Sequence, residues 1–346
     1  MSEAPPPSIL VLHDGAAGNR RQALALAEAW GLPFRELALA PRAPWRWAAP
    51  RRLPGVGFAF GDAFAEVLAR PPAVAVGCGR QAALATRLLR ERGAKAVQIL
   101  HPRLPTAQWD VVVLPAHDGV HGGNVVTLHG SLNPIDDAWL VRQREAHAAL
   151  GAAPGPITAL LVGGPTDDSD WDRHALDGIL ELLLRWGQRD GGTLWVVTSR
   201  RTPRTMRRQI AHAMADRAHV WTDDADGPNP YAGILAWADR LVVTPDSANL
   251  ISEAAATNAP LWIAVPRYNR GRIRHLVAHA IDSGRARPFG PEAATWRVTP
   301  WRESARVANS LRPWVMDAIA ARDQSIAAPG GRGSDGSAAS MASAAG

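Results

Sequence analysis

The stretch LVVTPDSANLISEAAATNAPLWIAVP, at positions 241–266, contains a strand, a helix and a second strand in one uninterrupted run. Residues 241–243 are an apolar run typical of a buried strand, and the Ala-rich segment after Ser247 is typical of a helix. Asp246 and Ser247 are favourable N-cap residues, so the helix is predicted to begin there. Strands joined through a helix pair in parallel, so this stretch predicts an α/β fold.

The start of this predicted helix has the features of an anion-binding site. The N–H groups of its first turn have no partners within the helix and carry the positive end of its dipole, so a phosphate can bind at Asp246, Ser247 and Asn249. Glu253 follows Ser247 by nearly two turns, and its carboxylate can accept hydrogen bonds from two ribose hydroxyls. The alternative is a plain helix cap followed by a solvated glutamate.

The whole chain has the size and composition of a two-domain protein. Its 346 residues suit two domains of about 150 residues, and 47% hydrophobic with 20% charged residues is typical of a soluble globular chain. No apolar run is long enough for a membrane span, and no secretory or transit peptide is recognisable. The single cysteine, Cys78, fits a reducing compartment, so a cytoplasmic location is expected. The net charge of +6 suits an anionic ligand or membrane surface without selecting either.

Strand-like and helix-like segments alternate along the chain. Strands are predicted at residues 9–12, 73–76, 97–100, 111–114 and 125–128 in the first half, and at 157–162, 193–198, 219–221, 241–243 and 261–265 in the second. This alternation predicts two facing Rossmann-like domains with parallel sheets and a cleft between them. We predict the domains at 1–150 and 151–326, a last helix at 302–321 that packs back on the first domain, and a disordered tail at 327–346.

The loops after the second-domain strands are candidates for ligand contact, because ligands of parallel sheets bind beyond the carboxyl ends of the strands. The candidates in these loops are Gly163, Gly164, Ser199, Arg200, Asn229 and Tyr231. The two glycines allow backbone to approach a diphosphate, and the serine and arginine supply a hydroxyl and a guanidinium. The alternatives are an ordinary tight turn for the glycines and a solvated helix start for the arginine.

The corresponding first-domain loops carry the candidates for an acceptor site, which are Gly15, Gly18, Asn19, Gly79, Arg80, His101 and Ser131. The spacing of Gly15 and Gly18 matches only half of a dinucleotide fingerprint, so NAD binding is not predicted. Asp14, or His117 with Asp118, is the candidate general base; the alternative is that each side chain only satisfies a local hydrogen bond. The histidines match no familiar zinc spacing, so no metal site is predicted.

One first-domain segment interleaves aromatic and basic side chains. Trp45, Arg46 and Trp47 lie in a Pro-rich stretch with Arg51 and Arg52 nearby. Such a segment can lie in a lipid headgroup layer; the alternative is a surface loop packed by its own aromatic rings.

Several motifs together resemble the mitochondrial-fission Elm family, named for a plant elongated-mitochondria protein. They are HDGAAGNRRQ at 13–22, VGCGRQAA at 76–83, QILHPR at 98–103, DVVVLPAHD at 110–118, HGSLN at 129–133, TSRRTP at 198–203 and DGPNPYAGILAWADRLVVTPDSANLISEA at 226–254. The resemblance spans residues 9–290, and its last motif is long enough to be specific. The family name describes an organelle phenotype and implies no reaction.

The last of these motifs also resembles the donor-binding part of GT-B glycosyltransferases, such as the lipid-linked N-acetylglucosaminyltransferase of peptidoglycan synthesis, and of UDP-GlcNAc 2-epimerases. In those proteins a Ser-rich turn, a helix and a Glu hold the nucleotide diphosphate and ribose, and Ser247 and Glu253 match those places. The pair Gly163–Gly164 matches the loop after the first donor-domain strand. The first-domain loop HDGAAGN departs from the glycine-rich loop of those transferases, so the resemblance does not identify the acceptor.

The resemblance implies a GT-B-like glycosyltransferase that binds a UDP-linked sugar in the second domain and transfers it to an acceptor held by the first. Glu253 is then expected to hold the ribose, while Arg200, Ser247 and the two-glycine backbone hold the diphosphate. Asp14 or His117 would remove the acceptor proton. No metal, other cofactor or nucleic acid is expected to bind. A lipid-linked acceptor and peripheral contact with the inner membrane face are expected. The alternatives are an adaptor without turnover and a nucleotide-sugar epimerase.

Overall fold

Two parallel six-stranded sheets, one in each half of the chain, organise the fold. A computed structural model of the chain describes residues 8–292 and 294–327. The strands are β1 (Ile9–His13), β2 (Phe34–Ala38), β3 (Val74–Cys78), β4 (Lys95–Ile99), β5 (Val111–Pro115), β6 (Val125–Leu128), β7 (Ile157–Val162), β8 (Thr193–Thr198), β9 (His219–Trp221), β10 (Arg240–Val243), β11 (Leu261–Ile263) and β12 (Ala286–Pro288). The helices are α1 (Ala17–Trp30), α2 (Trp45–Ala48), α3 (Asp62–Ala69), α4 (Arg80–Glu91), α5 (Asp137–Ala146), α6 (Arg173–Asp190), α7 (Arg204–Met214), α8 (Tyr231–Trp237), α9 (Ala248–Ala256), α10 (Gly271–Asp282) and α11 (Glu303–Ala327). The predicted α/β class with two Rossmann-like domains is confirmed.

The first sheet has the strand order β2-β1-β3-β4-β5-β6, and its neighbouring strands are parallel. Strands β1 and β3 are buried along their whole length, as expected for strands covered by helices on both faces. The chain changes direction across the sheet between β1 and β3, so the loops that follow them open a crevice at the carboxyl edge.

The second sheet has the order β12-β11-β10-β7-β8-β9 and is also parallel. Its change of direction falls between β7 and β10, both fully buried. Helix α9 begins just after β10. The strand–helix–strand stretch at 241–266 therefore lies at the crevice of the second domain.

The last helix belongs to the core of the first domain. Val307, Leu311 and Val315 of α11 are buried with side chains of α1 and the first sheet. Arg312 adds a hydrogen bond to the backbone carbonyl of Trp30 at the end of α1. The chain thus returns from the second domain to the first, which links the two domains a second time. The predicted tail from 328 onwards lies outside the described residues.

The sequence patterns missed β2, β12, α2 and α3. Strands β2 and β12 are edge strands. Strand β2 has no buried residue, and its consecutive Arg35 and Glu36 are both exposed, while β12 has only three residues. Helix α3 buries only Phe64 and Val67. Short elements with few buried residues carry too weak an apolar period to be recognised. Within residues 8–292 and 294–327, no helix is both long and apolar enough to cross a bilayer.

Candidate functional site

Helix α9 stands between the two domains. Its alanine-rich face packs in the core of the second domain, whereas Asn249, Ser252 and Glu253 meet the first domain. Two of the first-domain residues that contact α9, Gly18 and Ser131, are small. A Cβ on Gly18 would lie 2.9 Å from Asn249 Nδ2, and Ser131 donates its backbone N–H to Ser252 Oγ at 2.9 Å. The two domains are therefore in direct contact along this helix.

A cavity of about 600 Å³ lies beside α9 where the domains meet. Helix α1 forms its first-domain wall, and the ends of β8 and β9 with the starts of α8 and α9 form the rest. Seven of the predicted nucleotide contacts line it: Ser199, Arg200, Asn229, Tyr231, Ser247, Asn249 and Glu253. Gly18, predicted on the acceptor side, lines it as well. The fold thus brings together candidates from loops that are far apart in the sequence.

Asp246 lies beneath the loops that surround the cavity and holds them in place through hydrogen bonds. Its side chain is fully buried. It accepts four hydrogen bonds, from Gly164 N (2.9 Å), Thr244 Oγ1 (2.7 Å), Trp171 Nε1 (3.1 Å) and Arg201 Nη2 (2.9 Å). A carboxylate away from water needs such donors, since its charge is otherwise costly to bury. Asp246 therefore ties the ends of β7, β8 and β10 to one another.

The glycine turn after β7 is fitted around this carboxylate. Gly163 donates its N–H to Thr244 Oγ1 at 2.8 Å, and Gly164 donates to Asp246, so both amides already have acceptors. A Cβ on Gly163 would overlap the Asp246 carboxylate, which accounts for glycine at that position. Asp246 and the two glycines thus shape the turn and hold the neighbouring loops, and they lie outside the cavity lining. Their contact with a ligand stays a prediction.

Four arginines line the cavity: Arg21, Arg200, Arg201 and Arg207. Arg207 donates to the carbonyls of Thr202 and Ser199, each at 3.0 Å, and so fixes the loop after β8. The guanidinium of exposed Arg200 has no acceptor among the described residues. Arg200 is therefore the guanidinium best placed to neutralise an added anion.

The first turn of α9 adds backbone donors to the same wall. Ser247 is its N-cap, and Ser247 Oγ accepts the N–H of Leu250 at 3.4 Å. The N–H groups of Ala248 and Asn249 have no acceptor in the part of the chain that the structure describes. With the helix dipole behind them, these amides form an anion-binding end.

Glu253 is almost wholly buried, with 4% of its side chain exposed, and both of its oxygens have partners. Tyr231 Oη donates to Oε2 at 2.5 Å, and Arg21 of α1 forms an ion pair with Oε1. Burial, together with this carboxylate, raises the pKa of Tyr231 well above its usual value, so the phenol remains a donor. Burial opposes the charge on Arg21, but Glu253 outweighs burial and raises the pKa of Arg21. A ribose that reaches Glu253 must therefore replace one of these partners.

The loops after β1 and β3 close on each other in the first domain. Asp14 Oδ1 accepts the N–H of Ala16 at 3.1 Å and Nδ2 of Asn19 at 3.0 Å. Asn19 accepts from Cys78 Sγ at 3.8 Å, and a Cβ on Gly79, whose φ is +89°, would overlap Asn19. Burial raises the pKa of the Cys78 thiol, which suits a structural role. Asp14, Asn19 and Gly79 thus form one cluster outside the cavity lining.

Three further acceptor-side candidates lie apart from the cavity. Gly15 donates its N–H to His13 Nδ1 at 3.1 Å. His101 Nδ1 accepts the N–H of Arg103 at 2.8 Å, and Arg80 is exposed at the start of α4. His101 thus takes part in a local hydrogen bond. The structure does not bring these three residues together.

His117 and Asp118 face α10 of the second domain and lie outside the cavity lining. Asp118 Oδ1 is 3.4 Å from Arg272 Nη1. Burial lowers the pKa of His117, and the charges of Arg272, His275 and His279 lower it further against the opposing effect of Asp118. The predicted base therefore belongs to a basic cluster at the domain interface.

A histidine pair continues this interface. His129 Nδ1 and His279 Nε2 are 2.7 Å apart, and both rings pack on Trp301. The backbone N–H of His129 donates to Glu303 at 3.0 Å. Burial, followed by the charge of His129, lowers the pKa of His279. Over the described ranges, no three His, Cys, Asp or Glu side chains are grouped so as to hold a metal.

Arg21 and Arg207 were not among the predicted site residues. Arg21 follows Gly18 by three positions in α1, and that helical spacing places both residues on one face. The spacing could have indicated Arg21 once Gly18 was assigned to the cleft. Arg207 lies nearly a full turn into α7, beyond the loop after β8 that carries the predicted contacts.

The pair of domains has counterparts among solved structures. The UDP-GlcNAc 2-epimerase of Methanocaldococcus jannaschii matches with a TM-score of 0.56 and 12% identity, covering 88% of this chain and 98% of that one. Its complex with UDP-GlcNAc and UDP matches with a TM-score of 0.51 at the same identity and coverage. At this identity the likeness establishes the fold alone, which is GT-B-like.

Sequence comparisons identify the family. The chain is 28% identical over 275 residues to the mitochondrial fission protein ELM1 of Arabidopsis thaliana, a match over 70% of this chain and 63% of the plant protein. A family model described as mitochondrial fission ELM1 matches residues 17–315, which include most of both domains. The chain therefore belongs to the mitochondrial fission ELM1 family.

Proposed function

We propose that the cavity beside α9 binds a nucleoside diphosphate sugar, with the diphosphate at the start of α9 and the ribose at Glu253. One observation carries this proposal: donors without protein acceptors and a buried carboxylate line the same cavity. Among the described residues, Arg200 and the amide of Asn249 are such donors, and the amide of Ala248 lies next to them in the first turn of α9. A diphosphate is the ligand group that needs several donors at once. Glu253 is the acceptor that two hydroxyls of a ribose need.

We take UDP as the nucleotide because a structural neighbour was solved with UDP-GlcNAc and UDP. That neighbour shares only its fold with this chain. UDP is therefore the first nucleotide whose binding should be tested. The diphosphate would leave without a metal ion, because Arg200 and the α9 dipole supply the positive charge that stabilises it.

The proposed reaction is transfer of the sugar to a hydroxyl held by the first domain. Asp14 is the favoured base of the two sequence candidates, because it lies three residues before α1, whose first turns line the cavity, whereas His117 faces α10. An acceptor arriving along α1 would approach the sugar from the side opposite the second-domain donors. Direct displacement of a diphosphate by such a hydroxyl needs only positioning, a base and charge neutralisation.

Nucleotide binding is the first test. Calorimetry and thermal shift with UDP and UDP-GlcNAc should show binding, and saturation at about a hundred times Kd should stabilise the protein by about 2.7 kcal/mol. Arg200→Ala should weaken UDP about tenfold, since it removes one charge-assisted contact. Arg208→Ala, an exposed arginine of α7 outside the cavity lining, is the matched control. Absence of binding to any nucleotide tested would overturn the proposal.

One observation favours a second candidate, an adaptor without turnover. Both oxygens of Glu253 are already engaged, and both candidate bases, Asp14 and His117, lie outside the cavity lining. The adaptor predicts that UDP-GlcNAc stays intact in every assay. An epimerase, in contrast, would release UDP and an epimerised sugar with no acceptor present, whereas a transferase would consume the sugar only when an acceptor lipid is added.

We also propose that the protein meets a membrane peripherally, through residues 42–59, here called the aromatic loop. A hydrogen bond from Arg42 N–H to the carbonyl of Ala59 (2.9 Å) closes its base, and Trp45 Nε1 binds the carbonyl of Pro54 (3.1 Å) across it. Trp47 and Phe58 expose 72% and 77% of their surface. Exposed aromatic rings of this kind suit the interface between lipid headgroups and acyl chains.

The charge of the aromatic loop suits an anionic bilayer. It contains four arginines, Arg42, Arg46, Arg51 and Arg52, and no Asp or Glu. Arg52 pairs with Glu91, and the other three have no carboxylate partner among the described residues. The loop follows β2, so it flanks the carboxyl edge of the first sheet, where a lipid-linked acceptor would enter.

Vesicle flotation tests this contact. Wild-type protein should float with vesicles that contain phosphatidylglycerol and not with pure phosphatidylcholine. The double substitution Trp47→Ala and Phe58→Ala should abolish flotation and leave UDP affinity unchanged. Val141→Ala, on an exposed apolar residue of α5, is the control. Equal flotation of the double variant and the wild type would refute the contact.

A further inference from the structure

We propose that Arg21 is a specificity residue that exchanges Glu253 for the diphosphate when a nucleotide binds. The proposal rests on the nucleotide function proposed above and adds a residue from the opposite domain to that site. In the structure, Arg21 belongs to α1 of the first domain and Glu253 to α9 of the second, and both line the same cavity.

Access to Glu253 requires one of its partners to leave. Only 4% of the side chain is exposed, so the remaining lone pairs of the carboxylate offer almost no surface to a ribose. Tyr231 belongs to the same domain as Glu253, at the start of α8, and packs against the core of that domain. Arg21 comes from the other domain, and 48% of its side chain is exposed. Arg21 is therefore the partner that can move, by rotating its flexible stem into the cavity.

The charge of the ligand decides whether this move is favourable. Ribose hydroxyls can donate to Glu253, but they are neutral and cannot replace the charge of Arg21. A nucleoside that displaced Arg21 would leave a guanidinium and an almost wholly buried carboxylate without their counter-charges. A diphosphate supplies an anion in the same cavity, so Arg21 gains a new partner as it loses Glu253. Binding of ribose and capture of phosphate are thus coupled through one side chain.

This exchange would make the site select nucleoside diphosphates over nucleosides. It would also bring a first-domain cation onto a ligand held by the second domain. The domains already touch along α9, where Gly18 meets Asn249 and Ser131 meets Ser252. A side-chain rotation therefore suffices, and no closure of the domains is needed.

Calorimetry with uridine, UDP and inorganic pyrophosphate tests the exchange in the full-length protein. Arg21→Ala should weaken UDP and pyrophosphate about tenfold or more, the effect of one lost charge-assisted contact. The affinity of this variant for uridine should equal or exceed that of the wild type, because the competitor for Glu253 is gone. Arg21→Lys should recover part of the UDP affinity. Arg20→Ala, on the neighbouring arginine that pairs with Glu36, should leave all three ligands unchanged.

Glu253→Gln provides an independent check. It removes the charge that holds Arg21, so pyrophosphate should bind this variant more tightly than it binds the wild type. A purely structural role for the ion pair would not produce that gain. Equal weakening of uridine and UDP by Arg21→Ala, or no gain for Glu253→Gln, would overturn the exchange. If the wild type binds neither UDP nor pyrophosphate, the proposed nucleotide function itself fails.

Discussion

The two crevices at the strand switch points share a topology and differ in how their side chains are paired. In the first domain, Asn19 donates to Asp14 and packs closely on Gly79. The arginines of the first turns of α1, Arg20 and Arg21, both have carboxylate partners. In the second domain, Arg200 and the first amides of α9 have no acceptor in the described chain. The exposed guanidinium of Arg80 and the amides of Ala17 and Gly18 also have no acceptor in the described chain, so donors are available in both crevices. The second crevice differs in its fully buried Asp246, which holds the loops together, and in lining the cavity beside α9.

The largest expected difference between the crevices comes from their aspartates. Asp246→Ala removes the acceptor of four donors and leaves buried groups such as Trp171 Nε1 unpaired, so the free energy of unfolding should fall by about 3–5 kcal/mol. Asp14→Ala removes a partly exposed acceptor and should cost about 1 kcal/mol. Urea unfolding followed by tryptophan fluorescence measures both. Equal losses in the free energy of unfolding for the two variants would contradict this difference between the crevices.

A smaller difference is expected from one added methyl group in each crevice. Gly163→Ala pushes a Cβ into the Asp246 carboxylate, which four hydrogen bonds hold in place, and should cost about 2–3 kcal/mol and abolish UDP binding. Gly15→Ala meets open space and only strains a φ of +79°, so it should cost about 1 kcal/mol and leave UDP affinity intact. Thermal denaturation and calorimetry separate the two effects. A neutral Gly163→Ala would show that the turn is not fitted to Asp246.

The smallest expected effect is a pH dependence at the histidine interface. The pKa values of His117 and His279 are lowered in the folded protein, so the unfolded chain binds more protons as the pH falls through the usual histidine range. Stability is therefore complete above about pH 6.5 and declines as the pH falls towards the lowered folded values. His279→Gln should flatten the slope of stability against pH between about 7 and 5. An unchanged slope would show that this interface does not contribute to the loss of stability at low pH. The UDP affinity at α9, which His279→Gln should leave unchanged, is the control.

Most of the α/β framework was predictable from the sequence. The predicted strands at 157–162 and 193–198 coincide with β7 and β8, because largely buried strands leave strong apolar patterns. The last helix, predicted at 302–321, begins at Glu303 and continues to Ala327. Edge elements such as β2 escaped because half-exposed strands resemble loops in their composition.

The site was only partly predictable, and Asp246 shows why. A cap residue at a helix start has the same sequence signature whether its carboxylate faces a ligand or four protein donors. Only the positions of Trp171 and Arg201, far away in the sequence, decide between these cases. His117 poses the same problem, because its neighbours on α10 come from the other domain.

By itself, the sequence determined the two-domain parallel fold, the location of the central crevice and the family, since these follow from local periodicity and contiguous motifs. Tertiary structure alone decided which polar groups at that crevice are satisfied. Hydrogen bonds and ion pairs act over a few ångströms and join residues from distant segments, as Arg21 and Glu253 do across the two domains. No local pattern records those distances, so the pairing that leaves Arg200 and the start of α9 open appears only once the chain is folded.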